Sequence, residues 1–234
     1  MKIMHSARLV RVHDENYRTK TFVLDATLPA APGQFAMLWL PGLDEKPFSL
    51  LDHDPVSFTI AAVGPFSRAL HCLAIGDRVW CRGPFGHGFA LQGRTHLMVG
   101  GGYGVAPLLF LARQALARGD QVQAVIGART AADLLLVDEF TATGAGVHVA
   151  TDDGSAGTCG QVTDVVRPLL DAEGADTLYA CGPHGMLAAL ENVAAECGVP
   201  AQLSWEAFMR CGIGICGSCE HRGLLLCTDG PVLY

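Results

Sequence analysis

The rhythm of apolar and polar positions changes twice along the chain. Up to about residue 93, short runs alternate with period two, as in SARLVRVHD and YRTKTFVLDA. Such alternation between turn residues predicts strands with one buried face. APGQFAMLWLPG, VSFTIAAVG and DRVWCRG continue the style, each bounded by Gly, Pro or Asp. Short strands in series predict an antiparallel barrel or sandwich. From 94 to about 200 the strands become buried runs that alternate with helical patterns. THLMVGG, QVQAVIGAR, VHVATDDG and DTLYACG read as strands. APLLFLARQALARG, LLLVDEFTATG, QVTDVVRPLLDAEG and HGMLAALENVAAECG read as helices, the first and last closed by Gly119 and Gly198. Strands alternating with helices of this length predict a doubly wound parallel sheet. In the tail, AQLSWEAF reads as extended and a cysteine-rich stretch follows. The expected organisation is therefore a β-barrel over 1–93, an α/β domain over 94–200 and a small C-terminal segment over 201–234, with no internal repeats.

Composition narrows the function. The chain has 234 residues, 50% of them hydrophobic, and a formal net charge of −7. That length suits one large domain or two small ones. An acidic balance with no basic patch argues against nucleic acid. The N-terminus has no apolar run of signal-peptide length, and the longest uncharged stretch, Leu97 to Ala112, falls short of the roughly 20 residues of a membrane span. A cytoplasmic protein with no membrane association is expected. Mean hydropathy of +0.30 is high for a free monomer and points to a surface covered by a partner.

Nine cysteines are many for such a chain, and cytosolic redox poise disfavours structural disulfides. Cys72, Cys81, Cys159, Cys181 and Cys197 are scattered and read as buried thiols. The other four follow the spacing Cys211-x4-Cys216-x2-Cys219-x7-Cys227. C-x4-C-x2-C with a more distant fourth cysteine is the plant-type [2Fe–2S] pattern. Gly212, Gly214 and Gly217 would let the loop curl, because glycine tolerates positive φ. Zinc competes, although zinc sites usually pair two separate knuckles across a longer spacer. A disulfide pair also competes, and His221 could replace one thiolate.

Two further places carry candidate chemistry. LMVGGGYGVAPLL puts Gly100, Gly101, Gly102 and Gly104 between a strand and a helix, where a pyrophosphate can rest on a helix N-terminus. Strand–helix packing would explain the same glycines. YACGPHGM forms a second strand-to-helix turn on the same sheet edge, with Cys181, Gly182 and Pro183. Cys181 is there either as a neighbour of the reacting ring or as an inert buried thiol. Arg129 and Thr130 end the next strand where an acidic residue often marks an NAD site. Arg129 would serve a 2′-phosphate or be a solvated charge, so NAD versus NADP stays open. In the β-part, EKPFSL brackets Pro47-Phe48 with Lys46 and Ser49, a candidate diphosphate or flavin anchor as well as a plain surface loop. Gly64 to Ser67 and Gly83 to Gly88 could add backbone donors.

Taken in order, these motifs resemble the ferredoxin–NADP reductase superfamily, with its [R/K]-P-x-S barrel motif and C-G-P-x-x-M turn. Within it the chain resembles the electron-transfer subunits of two-subunit, NAD-dependent dihydroorotate dehydrogenases. VGPFSRAL, GDRVWCRGPFGHGF, TDDGSAGTCGQVTD, SWEAFMRCGIGICGSC and CTDGPV carry that resemblance over nearly the whole chain. It implies FAD in the barrel, [2Fe–2S] in the tail and NAD(H) in the α/β segment. It implies FAD contacts from Lys46, Pro47, Phe48 and Ser49, from Thr59, Ile60 and Ala61, and from Phe66 and Ser67. The cluster ligands would be Cys211, Cys216, Cys219 and Cys227. The implied partner is an FMN-containing catalytic subunit, in a heterotetramer of two of each, which abstracts the substrate proton. No residue of this chain would then act as an acid or base. Sulfide dehydrogenases and NADH-dependent ferredoxin:NADP oxidoreductases share the architecture, and a zinc-stabilised interaction module is the reading of another class. Three departures stand out: Lys46 where Arg is usual, Phe66 in place of a small residue, and a short gap before Cys227.

Overall fold

A computed structural model describes residues 4–234. The described residues form two compact units, one of residues 4–88 with 207–231, the other of 89–206 with 232–234.

In the first unit seven antiparallel strands form one sheet: β1 (His5–Asn16), β2 (Thr19–Leu24), β3 (Phe35–Leu40), β4 (Asp44–Ser49), β5 (Asp52–His53), β6 (Val56–Ala61) and β7 (Arg78–Phe85). Their order, β4-β3-β7-β1-β2-β6-β5, is that of the expected barrel. Ala7, Leu9, Phe22, Leu38, Phe58 and Ile60 fill its core. The period-two pattern thus finds its buried side, although β6 is buried at every position. One element was not visible in that pattern. Pro65–His71 is a helix, α1, where the sequence suggested a loop of backbone donors. Seven residues are too few to show a helical repeat, but their chemistry fits: Pro65 starts the helix, where its missing N–H costs nothing. Ser67 Oγ accepts the N–H groups of Val63 and Gly64 at 3.0 and 2.9 Å.

In the second unit the strands are β8 (Thr95–Gly101), β9 (Gln121–Ala128), β10 (Gly146–Thr151), β11 (Thr158–Cys159), β12 (Thr177–Cys181), β13 (Ala201–Ser204) and β16 (Val232–Leu233). The order β11-β10-β9-β8-β12-β13-β16 is parallel throughout except for β16. Helix α2 (Val105–Ala117) packs on β8 and β9 and against α3 (Val137–Ala142), while α4 (Val162–Ala172) packs against α5 (His184–Cys197). Strand order reverses between β8 and β12, and a doubly wound sheet opens its binding crevice at such a point. Gly119 follows α2 with φ +80°, and Gly198 caps α5 with φ +68°, left-handed stops of the kind glycine makes cheaply.

The tail expected to stand alone as 201–234 is divided instead. β13 and β16 extend the parallel sheet, whereas 207–231 joins the barrel. The short runs AQLS and VL supply backbone hydrogen bonds to a sheet edge, which a period-based reading cannot assign.

Candidate functional site

The cysteine loop belongs to the barrel unit. Gly212, Gly214 and Gly217 have φ of +69°, +77° and +71°, so each reverses the chain between thiols. The seven residues between Cys219 and Cys227 form a hairpin of β14 (Glu220–His221) and β15 (Leu224–Leu225). Its two-residue turn has φ of +52° at Arg222 and +81° at Gly223, the pattern of a tight primed turn. The Leu226 N–H then reaches the Cys219 carbonyl at 3.1 Å, which brings Cys219 and Cys227 side by side. His221, a candidate ligand, stands in this hairpin, opposite Leu224.

All nine cysteines are free thiols; of the scattered five, Cys81 and Cys181 are buried as expected, Cys197 is half-buried, and Cys72 and Cys159 are exposed instead. The four of the loop lie on one curled segment and the hairpin that follows it, with Cys219 and Cys227 at the two ends of that hairpin. Among the described residues no three His, Cys, Asp or Glu gather as they would around one metal ion. Backbone donors face the sulfurs: Gly214 N–H lies 3.2 Å from Cys227 Sγ and Ile213 N–H 3.4 Å from Cys211 Sγ. Ser218 Oγ is 3.1 Å from Cys216 Sγ, and this hydroxyl with the loop's N–H groups holds the exposed Cys216 thiol down at about 6. Burial acts against ionisation of Cys211, yet the N–H groups of Ile213, Cys216 and Ile215 bring its thiol below the ordinary value. Burial pushes Cys227 up to about 11. Four thiols on one curled segment, with N–H groups aimed at sulfur, fit an iron–sulfur cluster, since such hydrogen bonds tune iron–sulfur centres.

Strand β4 carries Lys46, Pro47, Phe48 and Ser49, all half-buried, so this stretch is not a surface loop. Its register on β3 pairs Leu38 with Lys46 and Phe35 with Ser49. Lys46 Nζ sits 2.6 Å from Asp44 and 5.5 Å from the ring centre of Phe208, in the segment leading into the cysteine loop. The ammonium therefore already has a carboxylate partner. Phe66 is buried and stacks on Phe48 at 5.9 Å, which explains how a large side chain fits that position. Ser67 is spent inside the α1 cap, leaving backbone and not hydroxyl as its available chemistry. Thr59, Ile60 and Ala61 are buried in β6, with the Thr59 hydroxyl 2.8 Å from that of Thr21.

In the second unit the two candidate loops touch. A side-chain carbon on Gly104 would overlap the Cys181 carbonyl, and one on Gly101 would lie 2.7 Å from Met186 Sδ and 2.9 Å from Pro183. Gly182 packs against Gly101 in the same way. Of these glycines, only Gly102, at φ +55°, faces open space. Cys181 is buried, and burial, with the nearby Glu206 carboxylate, pushes its thiol up to about 12. Such a thiol is inert at neutral pH. Arg129 lies 3.6 Å from Asp133, and Thr130 also donates to that carboxylate at 3.3 Å. Sequence reasoning passed over Glu45, Arg82, Phe208 and Ser218. Arg82 grips Glu45 across 37 positions of sequence, a distance no spacing rule spans.

An antiparallel barrel followed by a doubly wound sheet with two loops at its switch point is the fold of the flavin- and NAD-linked reductases. The oxidoreductase NAD-binding domain family matches residues 98–192, and the iron–sulfur cluster binding domain of dihydroorotate dehydrogenase B matches residues 206–234. The probable electron transfer subunit of dihydroorotate dehydrogenase B (NAD(+)) from Methanocaldococcus jannaschii is 40% identical over 97% of this chain and 88% of its own length. The Thermococcus kodakarensis protein of the same description is 44% identical over 91% of this chain and 88% of its own. The chain belongs to this family of electron-transfer subunits. A solved structure of the NADH-dependent reduced ferredoxin-NADP oxidoreductase, described in terms of flavin-based electron bifurcation, superposes with a TM-score of 0.88 at 30% identity, covering 97% of this chain and 87% of that one. An NAD-linked oxidoreductase role with FAD, an iron–sulfur cluster and NAD(H) follows, as the resemblance implied. Among the described residues no helix is long and apolar enough to cross a membrane.

Proposed function

We propose that Cys211, Cys216, Cys219 and Cys227 ligate a [2Fe–2S] cluster and that Lys46 to Ser49, Thr59 to Ala61, Phe66 and Ser67 line the FAD site. NAD(H) would lie over Gly101, Gly102 and Gly104, beside Cys181, Gly182 and Pro183. The four thiols of one glycine-curled loop, with backbone N–H groups facing the Cys211 and Cys227 sulfurs and within the same unit as the flavin strand, carry this reading. The four thiolates would hold the two irons.

A flavin, when bound, supplies the exchange between single electrons and hydride; its chemistry belongs to the cofactor. The chain's contribution is position. Lys46 offers a point charge to phosphate, where Arg would offer a planar fork, and Asp44 competes for it. Phe48 and Phe66 wall the strand with stacked rings. The glycines let the pyrophosphate approach backbone at Gly102. Cys181 stays neutral and takes no proton.

The partner is an FMN-containing dihydroorotate dehydrogenase catalytic subunit, two copies of each chain forming a heterotetramer in pyrimidine biosynthesis. Exposed Phe208, Ile213 and Ile215 around the thiols support a covered surface there. A different partner is the second reading, favoured by the 0.88 TM-score to the ferredoxin-linked structure; the 40–44% identities to the dihydroorotate dehydrogenase B subunits favour the first. Purification with the native partner decides between them. Dihydroorotate-dependent NAD⁺ reduction by a complex holding FMN, FAD and two irons per pair is the expected result; a co-purified subunit without FMN or dihydroorotate activity overturns it.

A further inference from the structure

A half-buried ion pair connects the flavin strand to the cysteine loop. Arg82, on β7, donates from Nε and Nη2 to the two carboxylate oxygens of Glu45 at 2.6 and 2.8 Å. The same Nη2 donates to the Cys211 carbonyl at 2.8 Å. The side chains of Arg82 and Glu45 are only 16% and 23% exposed, and the guanidinium lies over the Phe85 ring at 5.1 Å. Glu45 immediately precedes Lys46 in β4. A side-chain carbon on Gly212 would sit 3.3 Å from Met37, so the loop rests on the barrel strand between these two.

We propose that Arg82, oriented by Glu45, is a positioning residue: it fixes the first thiolate of the loop against the barrel and sets the potential of the cluster through its charge. The inference rests on the cluster reading above. A planar fork can meet both carboxylate oxygens and still reach a carbonyl, whereas an ammonium cannot hold that geometry. A cluster gains negative charge on reduction. A guanidinium beside it favours the reduced form, and Glu45 tempers that effect. Removing either partner unbalances the pair in opposite senses.

The test uses the full chain with flavin and cluster in place, and reads iron, acid-labile sulfide and an EPR-monitored redox titration. Arg82→Gln leaves Glu45 unbalanced and lowers the midpoint; the reduced-to-oxidised ratio at fixed potential falls roughly tenfold for a charge at this range in a partly screened site, about 59 mV for one electron. Glu45→Gln raises the midpoint. Arg82→Lys keeps the sign of charge, stays closer to wild type in potential and changes the EPR line shape. A merely structural contact would shift both neutral variants in the same direction. Shifts of one sign, or shifts below twofold in both, overturn the proposal. If Arg82→Gln loses its iron, the sign of the shift in Glu45→Gln decides. A wild-type chain without visible iron–sulfur bands would overturn the cluster reading itself, and this inference with it.

Discussion

Around the four thiols, Gly212, Gly214 and Gly217 all hold left-handed backbone, and Gly217 has nothing within reach of an added side chain. Around the end of β8 the situation is reversed. Gly101 and Gly104 have φ of −115° and −64°, which any residue can adopt, but the space a side chain would need is filled by Cys181, Pro183 and Met186. The first loop uses its three glycines for their dihedrals, whereas Gly101 and Gly104 of the second serve by lacking a side chain, and only Gly102 there holds left-handed backbone. The two loops look alike in sequence. The cysteines differ in parallel: Cys216 is exposed and acidic, Cys181 buried and inert. One loop curls through left-handed glycines and the other brings two strand ends into contact.

The contrast can be broken in four ways. Cys219→Ser should have the largest effect, abolishing the visible iron–sulfur bands and partner-dependent NAD⁺ reduction while direct NADH reduction of the flavin persists; iron analysis and stopped-flow spectra check it. Next is thiol reactivity in the cluster-free chain. Cys216, held at about 6, ionises as pH rises through 6, so its alkylation rate climbs there and is flat by pH 8. Cys181, pushed up to about 12, should show no comparable rise below pH 10. Mass spectrometry after iodoacetamide should separate the two rates by several orders of magnitude at pH 7, and equal labelling would refute the contrast. Third, Gly104→Ala should destabilise by about 1–3 kcal/mol through overpacking against the Cys181 carbonyl, seen as a lower denaturation midpoint with weaker NADH binding. Smallest is Gly217. Alanine there should cost about 1–2 kcal/mol for left-handed backbone, and Gly217→Asn, which tolerates that region, should recover most of it in the same denaturation assay. Asn at Gly104 should recover nothing.

Much of this was legible in the residues. Period-two alternation located the barrel strands, and Gly119 and Gly198 marked where α2 and α5 stop. The cysteine spacing carried the cluster, because ligand spacing is a local property of the chain. Other features had no local signal. Helix α1 is shorter than two turns. The Glu45–Arg82 pair joins β4 to β7 across β3, strands brought within reach only once the three lie side by side. The short gap before Cys227 stands out in the sequence, but only the fold shows its two-residue turn, whose register sets Cys219 against Cys227.

The sequence by itself determined the kinds of element, their order and the identity of the chemistry-bearing side chains, because periodicity, caps and thiol spacing act over a few residues. Tertiary structure decided which backbone donors meet the thiols, what each crowded glycine makes room for, and how the tail divides between the two units. Those outcomes depend on contacts between segments far apart in the chain, where hydrogen-bond register and the space left by a missing side chain are set only after the sheets have formed.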